Sequence, residues 1–207
     1  EVGVAEVSVP RPAAGVSPEA VRSALDAAGA AVAPETGRER VHVIPRSYRL
    51  DGSVPLRDPL GLCGRTLEAE VLVVTGDALQ VQNHLRAARH ASLEVADYLV
   101  TVRAAGEAVL TPEEREQGVL LLDIGGGTTG VAVYDGGHLF HLAVLPVGGD
   151  HITHDLATVL RLPVETAERV KREKGWASPL LAPEGSFEVP TPSGLNRREI
   201  TVKHVAE

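Results

Sequence analysis

The chain has 207 residues, 43% of them hydrophobic and 23% charged, with a formal net charge of −8. That is the make-up of a globular protein able to bury one medium core or two small ones. The acidic balance excludes the basic surface by which nucleic-acid binders displace phosphate counterions, and no stretch approaches the ~18 apolar residues of a membrane span.

Aromatic residues make up only 3%, so Val, Leu, Ile and Ala must build the core. The lone cysteine, Cys63, excludes an internal disulfide and reads as a small core thiol in a reducing compartment. A chain that opens on Glu1 and contains no methionine is expected to be an internal piece of a longer one.

Residues 2–9, VGVAEVSV, predict a strand, and Ser17-Pro18 then reads as a cap with proline at the first helical position. Val21, Leu25, Ala28 and Val32 recur at helical spacing over 18–32. RVHVIPRSYRL, 40–50, is β-rich, with Pro45 marking an edge or a bulge. In LEAEVLVVTG, 67–76, Leu67, Ala69, Val71 and Val73 share one face. The order is strand–helix–strand–strand, a small α+β unit ending near Gly76.

Residues 78–91 place Leu79, Val81, Leu85 and Ala88 on a helical stripe. YLVTV, 98–102, predicts a short strand, AAGEAVL a helix, and Thr111-Pro112-Glu113 a helix restart. GVLLLDI, 118–124, is an unbroken apolar run suited to a central strand covered on both faces. VAVY and HLFHLAVL flank Asp135-Gly136-Gly137, a hairpin signal. Asp150 is expected to cap a helix burying Ile152, Leu156, Val159 and Leu160. Pro163 opens another, with Val164, Ala167 and Val170 inward and Gly175 as its stop. The Pro/Ser/Gly-rich stretch 176–193 reads as a loop or hairpin, with Trp176 as packing or a boundary anchor.

The chemistry concentrates in DIGGGTTG, 123–130. A strand delivers Asp123 at its carboxyl end, where sheet proteins place ligands. Gly125, Gly126 and Gly127 remove every Cβ, so backbone N–H groups are open to an anion, and Thr128 and Thr129 add hydroxyls. Asp123 suits Mg²⁺ or its bound water rather than a bare phosphate. No G-K-[ST] follows, so this is not a Walker A loop, and the second strand rules out a dinucleotide fingerprint. Two readings stand: a phosphate-binding hairpin, or a turn that tolerates glycine. His151-x-x-His154 has no converging third ligand, and in the strand pair His138-x-x-His141 the side chains fall on opposite faces, so no metal site is read there.

DIGGGTT followed by VAVY, a hairpin and PVGGDHIT resembles the actin/Hsp70/sugar-kinase superfamily. HVIPRSYRLDG (42–52), DPLGLCGRTLEAEVLVVTG (58–76), LPVGGDHIT (145–153) and AERVKREKG (167–175) narrow the resemblance to the FtsA family of bacterial cell-division proteins. The resemblance implies an α/β chain with an α+β insert: part of an actin-like ATPase-type fold carrying a small SHS2 domain of the type called 1C. Its domains would be 1–76 (1C-like), 77–113 (part of 1A with the interdomain connection) and 114–207 (2A with the start of 2B).

Carried over by resemblance, Asp123 orients hydrated magnesium, while Gly126, Gly127, Thr128 and Thr129 cradle the β- and γ-phosphates of ATP. Gly148 and Gly149 pass beneath the sugar. Glu168, Lys171 and Arg172 lie on the ribose and adenine side; their alternative is a set of surface ion pairs. Glu107 stands where a polar residue positions the attacking water, its alternative being an exposed helix carboxylate. Many family members carry Asp where this chain has Gly130, which bears on hydrolysis, so at most a weak ATPase is expected. A first phosphate hairpin and a membrane-targeting helix are not seen, and the site is expected to be half of a cleft.

The family further implies an adaptor that polymerises and tethers FtsZ to the inner face of the cytoplasmic membrane at the septum. Other divisome proteins would be met through the 1C domain, and the membrane through a segment absent here. The alternatives are an assembly ATPase of another machine, such as the PilM type of the type IV pilus, or a sugar-kinase-like phosphotransferase.

Overall fold

The computed structural model describes residues 1–191 and 196–206, and the chain divides into two units, Glu1–Leu122 with Val131–Ala143, and Asp123–Gly130 with Val144–Glu207.

The first unit begins with strand β1 (Val2–Ser8), helix α1 (Pro18–Ala31), β2 (Arg38–Leu50) and β3 (Thr66–Asp77). Ser17 caps α1, its hydroxyl accepting from the Ala20 N–H at 3.3 Å. The sheet order is β1-β3-β2, with both pairings antiparallel. The central strand therefore turns Leu67, Ala69, Val71 and Val73, all buried, onto Ala20, Ala24 and Ala28 of α1. Alanines at i, i+4 spacing let the helix lie close against the sheet. Gly3 makes the same approach from β1, since a Cβ there would stand 2.2 Å from the Ala28 carbonyl oxygen. Pro45, which lacks an N–H, sits on the edge strand β2 beside a register shift, as expected. Asp51, in the left-handed region at φ 49°, accepts from the Arg65 and Thr66 N–H groups, both at 2.8 Å, and closes the 51–65 loop. Cys63 lies in that loop and is exposed, not a core thiol; its segment is held at the surface by backbone bonds rather than by apolar burial.

The unit continues through α2 (Ala78–His90), α3 (Thr101–Val109) and α4 (Pro112–Gln117), the last opened by a Thr111/Glu114 capping box. None of α2's residues is buried, so its predicted stripe stays at best half-covered among the described residues. The strand expected over 98–102 does not form. Val100 instead caps α3, its carbonyl taking the Arg103 and Ala104 N–H groups, and its own N–H finds His42 rather than a neighbouring strand.

Strands β4 (Val119–Ile124), β5 (Thr129–Asp135) and β6 (His138–Leu145) form a sheet in that order. The β5–β6 turn has φ of 56° at Gly136 and 81° at Gly137, the double left-handed geometry of a tight hairpin. β4 is not covered on both faces: it is an edge strand whose exposure alternates, with Leu120, Leu122 and Ile124 exposed.

The second unit holds α5 (Gly149–Val159), α6 (Val164–Lys174), β7 (Ser186–Pro190), β8 (Arg197–Thr201) and the short α7 (Val202–Ala206). Leu160, Leu162, Ala167, Val170, Val189 and Ile200 form its core. Gly148, not Asp150, is the cap of α5. The inward side of α5 runs through Thr153, Leu156 and Leu160, the two leucines as expected, while Ile152 and Val159 are exposed; on α6, Ala167 and Val170 are buried as expected and Val164 is exposed. β7 and β8 pair as an antiparallel hairpin, and Trp176 is about half exposed (48%). Residues 192 and 193 of the expected loop lie outside the described residues.

Candidate functional site

The glycine loop lies wholly within the second unit, between the end of β4 and the start of β5. The Gly125 N–H donates to the Thr128 carbonyl at 2.9 Å, closing a tight turn. The Gly125 carbonyl then accepts from the Gly149 N–H at 2.9 Å, and the Gly126 carbonyl from the Asp150 N–H at 2.8 Å. No peptide bond is cis, and a trans peptide points its C=O and N–H in opposite directions. With two successive carbonyls bound to the start of α5, the amides of Gly126 and Gly127 must face the other way. Neither they nor the Thr128 N–H has a partner among the described residues. Successive unpaired amides on an exposed loop form an anion-binding nest.

The glycines are not required by left-handed backbone, since Gly125, Gly126 and Gly127 all lie outside the positive-φ region. Space is what distinguishes them. A Cβ on Gly126 would meet the Asp150 carboxylate at 3.0–3.3 Å, whereas one on Gly127 would meet nothing within 4 Å. Opposite them, a Cβ on Gly148 would stand 2.3 Å from the Gly126 carbonyl oxygen and 2.5 Å from that of Gly125. The Thr129 hydroxyl donates to the Val147 carbonyl at 2.7 Å and completes the stitch between the two glycine segments. The first amides of α5 are consumed by it: the Gly148 N–H donates to His151 Nδ1 at 3.1 Å, while His154 Nδ1 lies 2.6 Å from the Asp150 carbonyl. Neither histidine ring forms part of a three-residue metal cluster among the described residues.

Behind Gly149 stands a polar cluster. Lys171 Nζ donates to the Gly149 carbonyl at 3.0 Å and to Thr153 Oγ1 at 2.8 Å, and pairs with Glu168 at 2.6 Å. Thr153 is buried, and its single hydroxyl proton goes to the Glu168 carboxylate at 2.5 Å. The Lys171 ammonium, and then the Thr153 hydroxyl, hold the Glu168 carboxyl below the usual glutamate range. Arg172 is exposed and adds only charge attraction to Glu168.

The fold thus joins Gly126, Thr128, Thr129, Gly148, Gly149, Glu168 and Lys171 by hydrogen bonds around one loop, with Gly127 in the same turn. Asp123 is half-buried at the end of β4 in the same unit, and its carboxylate has no hydrogen-bond partner among the described residues. Glu107 belongs to the first unit, where Arg115 binds its carboxylate at 2.8 Å while also donating to the Gly106 and Leu110 carbonyls. Sequence reasoning missed Thr153 and the placement of Asp150 against Gly126. The glycine pair preceding Asp150 was the available signal, because glycines opposite glycines bring backbones together.

The fold defines an actin-like protein carrying an SHS2 domain. Among solved structures, MreB 5 of Spiroplasma citri bound to AMPPNP superposes with a TM-score of 0.52 at 25% identity, over 62% of this chain and 41% of that one. A PilM-PilN type IV pilus biogenesis complex does so with a TM-score of 0.54 at 22% identity, over 83% of this chain and 47% of that one, a likeness of fold alone. The family model "SHS2 domain inserted in FTSA" matches residues 2–75, and "Cell division protein FtsA" matches residues 120–206. The FtsA of Pseudomonas aeruginosa is 38% identical over 93% of this chain, and that of Bacillus subtilis 38% over 87%. The chain belongs to the FtsA family of cell-division proteins. It spans less than half the length of these relatives, 46% and 41%.

Proposed function

We propose that the loop 125–129 is the second phosphate-binding segment of an actin-type nucleotide cleft, and that the chain serves a nucleotide-binding cell-division adaptor. The observation that carries this reading is the pair of outward amides at Gly126 and Gly127, held unpartnered because the loop carbonyls are bound to α5. A structural turn has no use for two exposed, preorganised donors in series. Thr128 and Thr129 flank them, Gly148 and Gly149 form the opposing rim, and Glu168, Lys171 and Arg172 take the sugar and base side. The MreB neighbour's bound AMPPNP supports a nucleoside triphosphate as the ligand.

A half-buried, unpartnered Asp123 at the strand end suits the hydrated Mg²⁺ that accompanies ATP. When bound, that cation supplies charge neutralisation at the phosphates; the chain's own amides orient them without reorganisation. Glu107 would position water only by leaving Arg115, which fits a slow ATPase in which nucleotide acts mainly as a conformational ligand.

Family membership carries the cellular reading: a polymerising protein that tethers FtsZ at the septum, peripheral to the inner face of the cytoplasmic membrane. The 1–76 domain would meet other divisome proteins and further copies, 77–113 would belong to domain 1A, and 114–207 to 2A and the start of 2B. No described helix is long and apolar enough to cross a bilayer.

Calorimetric titration of MgATP into a polypeptide extended to the relatives' length tests the site. Binding that Asp123→Ala weakens at least tenfold is expected, whereas no binding by the unmodified protein would leave the loop a structural hairpin. Co-sedimentation with FtsZ polymers tests the adaptor role in the same preparation.

A further inference from the structure

Backbone amides bind an anion whether or not it carries a metal; a neighbouring carboxylate does not share that indifference. Asp150 occupies the second position of α5, and its N–H is tied to the Gly126 carbonyl at 2.8 Å. Its carboxylate oxygens lie 3.0 and 3.2 Å from the point where Gly126 would carry a Cβ. The side chain is exposed and has no hydrogen-bond or ion-pair partner among the described residues. An uncompensated negative charge therefore stands on the rim of a donor nest. The first amides of α5, which would ordinarily soften that charge, are already committed to the Gly125 and Gly126 carbonyls and to His151.

We propose that Asp150 is a specificity-determining residue that makes this cradle select the divalent-metal complex of a polyphosphate over the metal-free anion. The inference rests on the nucleotide reading above. A bare polyphosphate held by the Gly126 and Gly127 amides shares the loop with the Asp150 charge and is repelled by it. A metal-complexed polyphosphate brings the compensating cation. At a few ångströms, in surroundings near those of water, one like charge costs about a fivefold to tenfold loss of affinity.

The test is ADP affinity by calorimetry, with Mg²⁺ and with EDTA, on the polypeptide extended to the relatives' length. Asp150→Asn keeps size and an acceptor while removing charge. Asp155→Asn, which neutralises another exposed carboxylate of α5, controls for net charge. The unmodified protein should prefer MgADP strongly. Asp150→Asn should raise metal-free affinity about tenfold and narrow that preference accordingly, with Asp155→Asn leaving it unchanged. An unchanged preference in Asp150→Asn, or equal narrowing in both variants, overturns the proposal, and Asp150 then serves only the helix. If the unmodified protein binds neither form, the nucleotide reading itself fails and this inference falls with it.

Discussion

Gly3 and Gly127 are both glycines, yet they differ in what stands where a Cβ would be. Gly3 faces the Ala28 carbonyl, 2.2 Å from where its Cβ would be, so the space it leaves is filled by the chain's own helix. Gly127 faces nothing within 4 Å. The first glycine is demanded by packing; the second leaves room that the chain does not use. The small α+β domain is thus a region whose residues are explained by one another. The loop 125–129 is explained only halfway, through its carbonyls, and its amides look outward for the other half.

The sharpest way to break this comparison is to damage each region by its own currency. Leu67→Ala empties a fully buried position on the central strand of the first sheet. It should cost about 2–5 kcal/mol in urea unfolding without touching the proposed nucleotide site. Gly148→Ala drives a methyl onto two backbone oxygens, which cannot rotate away. It should destabilise the second unit by about 1–3 kcal/mol and abolish nucleotide binding together with the stitch to α5. Gly127→Ala should leave the unfolding midpoint within about 0.5 kcal/mol of the unmodified protein, yet reduce MgATP affinity about tenfold or more. Equal loss of stability in the Gly127 and Gly148 variants would mean that the outward space is an internal one after all.

What was legible in the sequence follows the same division. Period-two burial on β3, the Ser17-Pro18 start of α1 and the double glycine of the β5–β6 turn are local signals, and each formed as expected. Expectations failed where tertiary context decides. Tyr98–Val100 had strand-like residues, but Val100 serves as the cap of α3, and the apolar run of β4 came to an edge, so half of it stays exposed. Cys63 looked apolar in a loop that backbone bonding keeps at the surface. The bare backbone of the glycine loop was legible because the removal of side chains is something a sequence states outright. Asp150 against Gly126 was not, because the β5–β6 hairpin must first return the chain. Nor was Thr153, a polar residue within an apolar stripe, intelligible until Glu168 and Lys171 from the next helix came to meet it.

Those three residues give the comparison its finest test, through pH. Glu168 titrates below the ordinary glutamate value, first because of Lys171 and then because of Thr153. A carboxyl depressed in the folded state stabilises that state above its unfolded pKa, about 4.3 for glutamate, and the contribution is lost as pH falls through the lower folded value. Stability of the second unit should therefore decline on acidification below about pH 4.5, and Glu168→Gln should flatten that limb by lowering neutral stability toward the acid value. Asp51 in the small domain is depressed as well, by the Thr66 and Arg65 amides, so an acid limb is expected there too. Denaturant unfolding followed separately for the two units, from neutral pH down to about pH 3, distinguishes them. Glu168→Gln should move only the second unit's limb and Asp51→Asn only the first's. If Glu168→Gln leaves the second unit's acid sensitivity intact, the Lys171–Thr153 cluster does not brace the Gly149 loop, and the cradle's order must come from the backbone stitch alone.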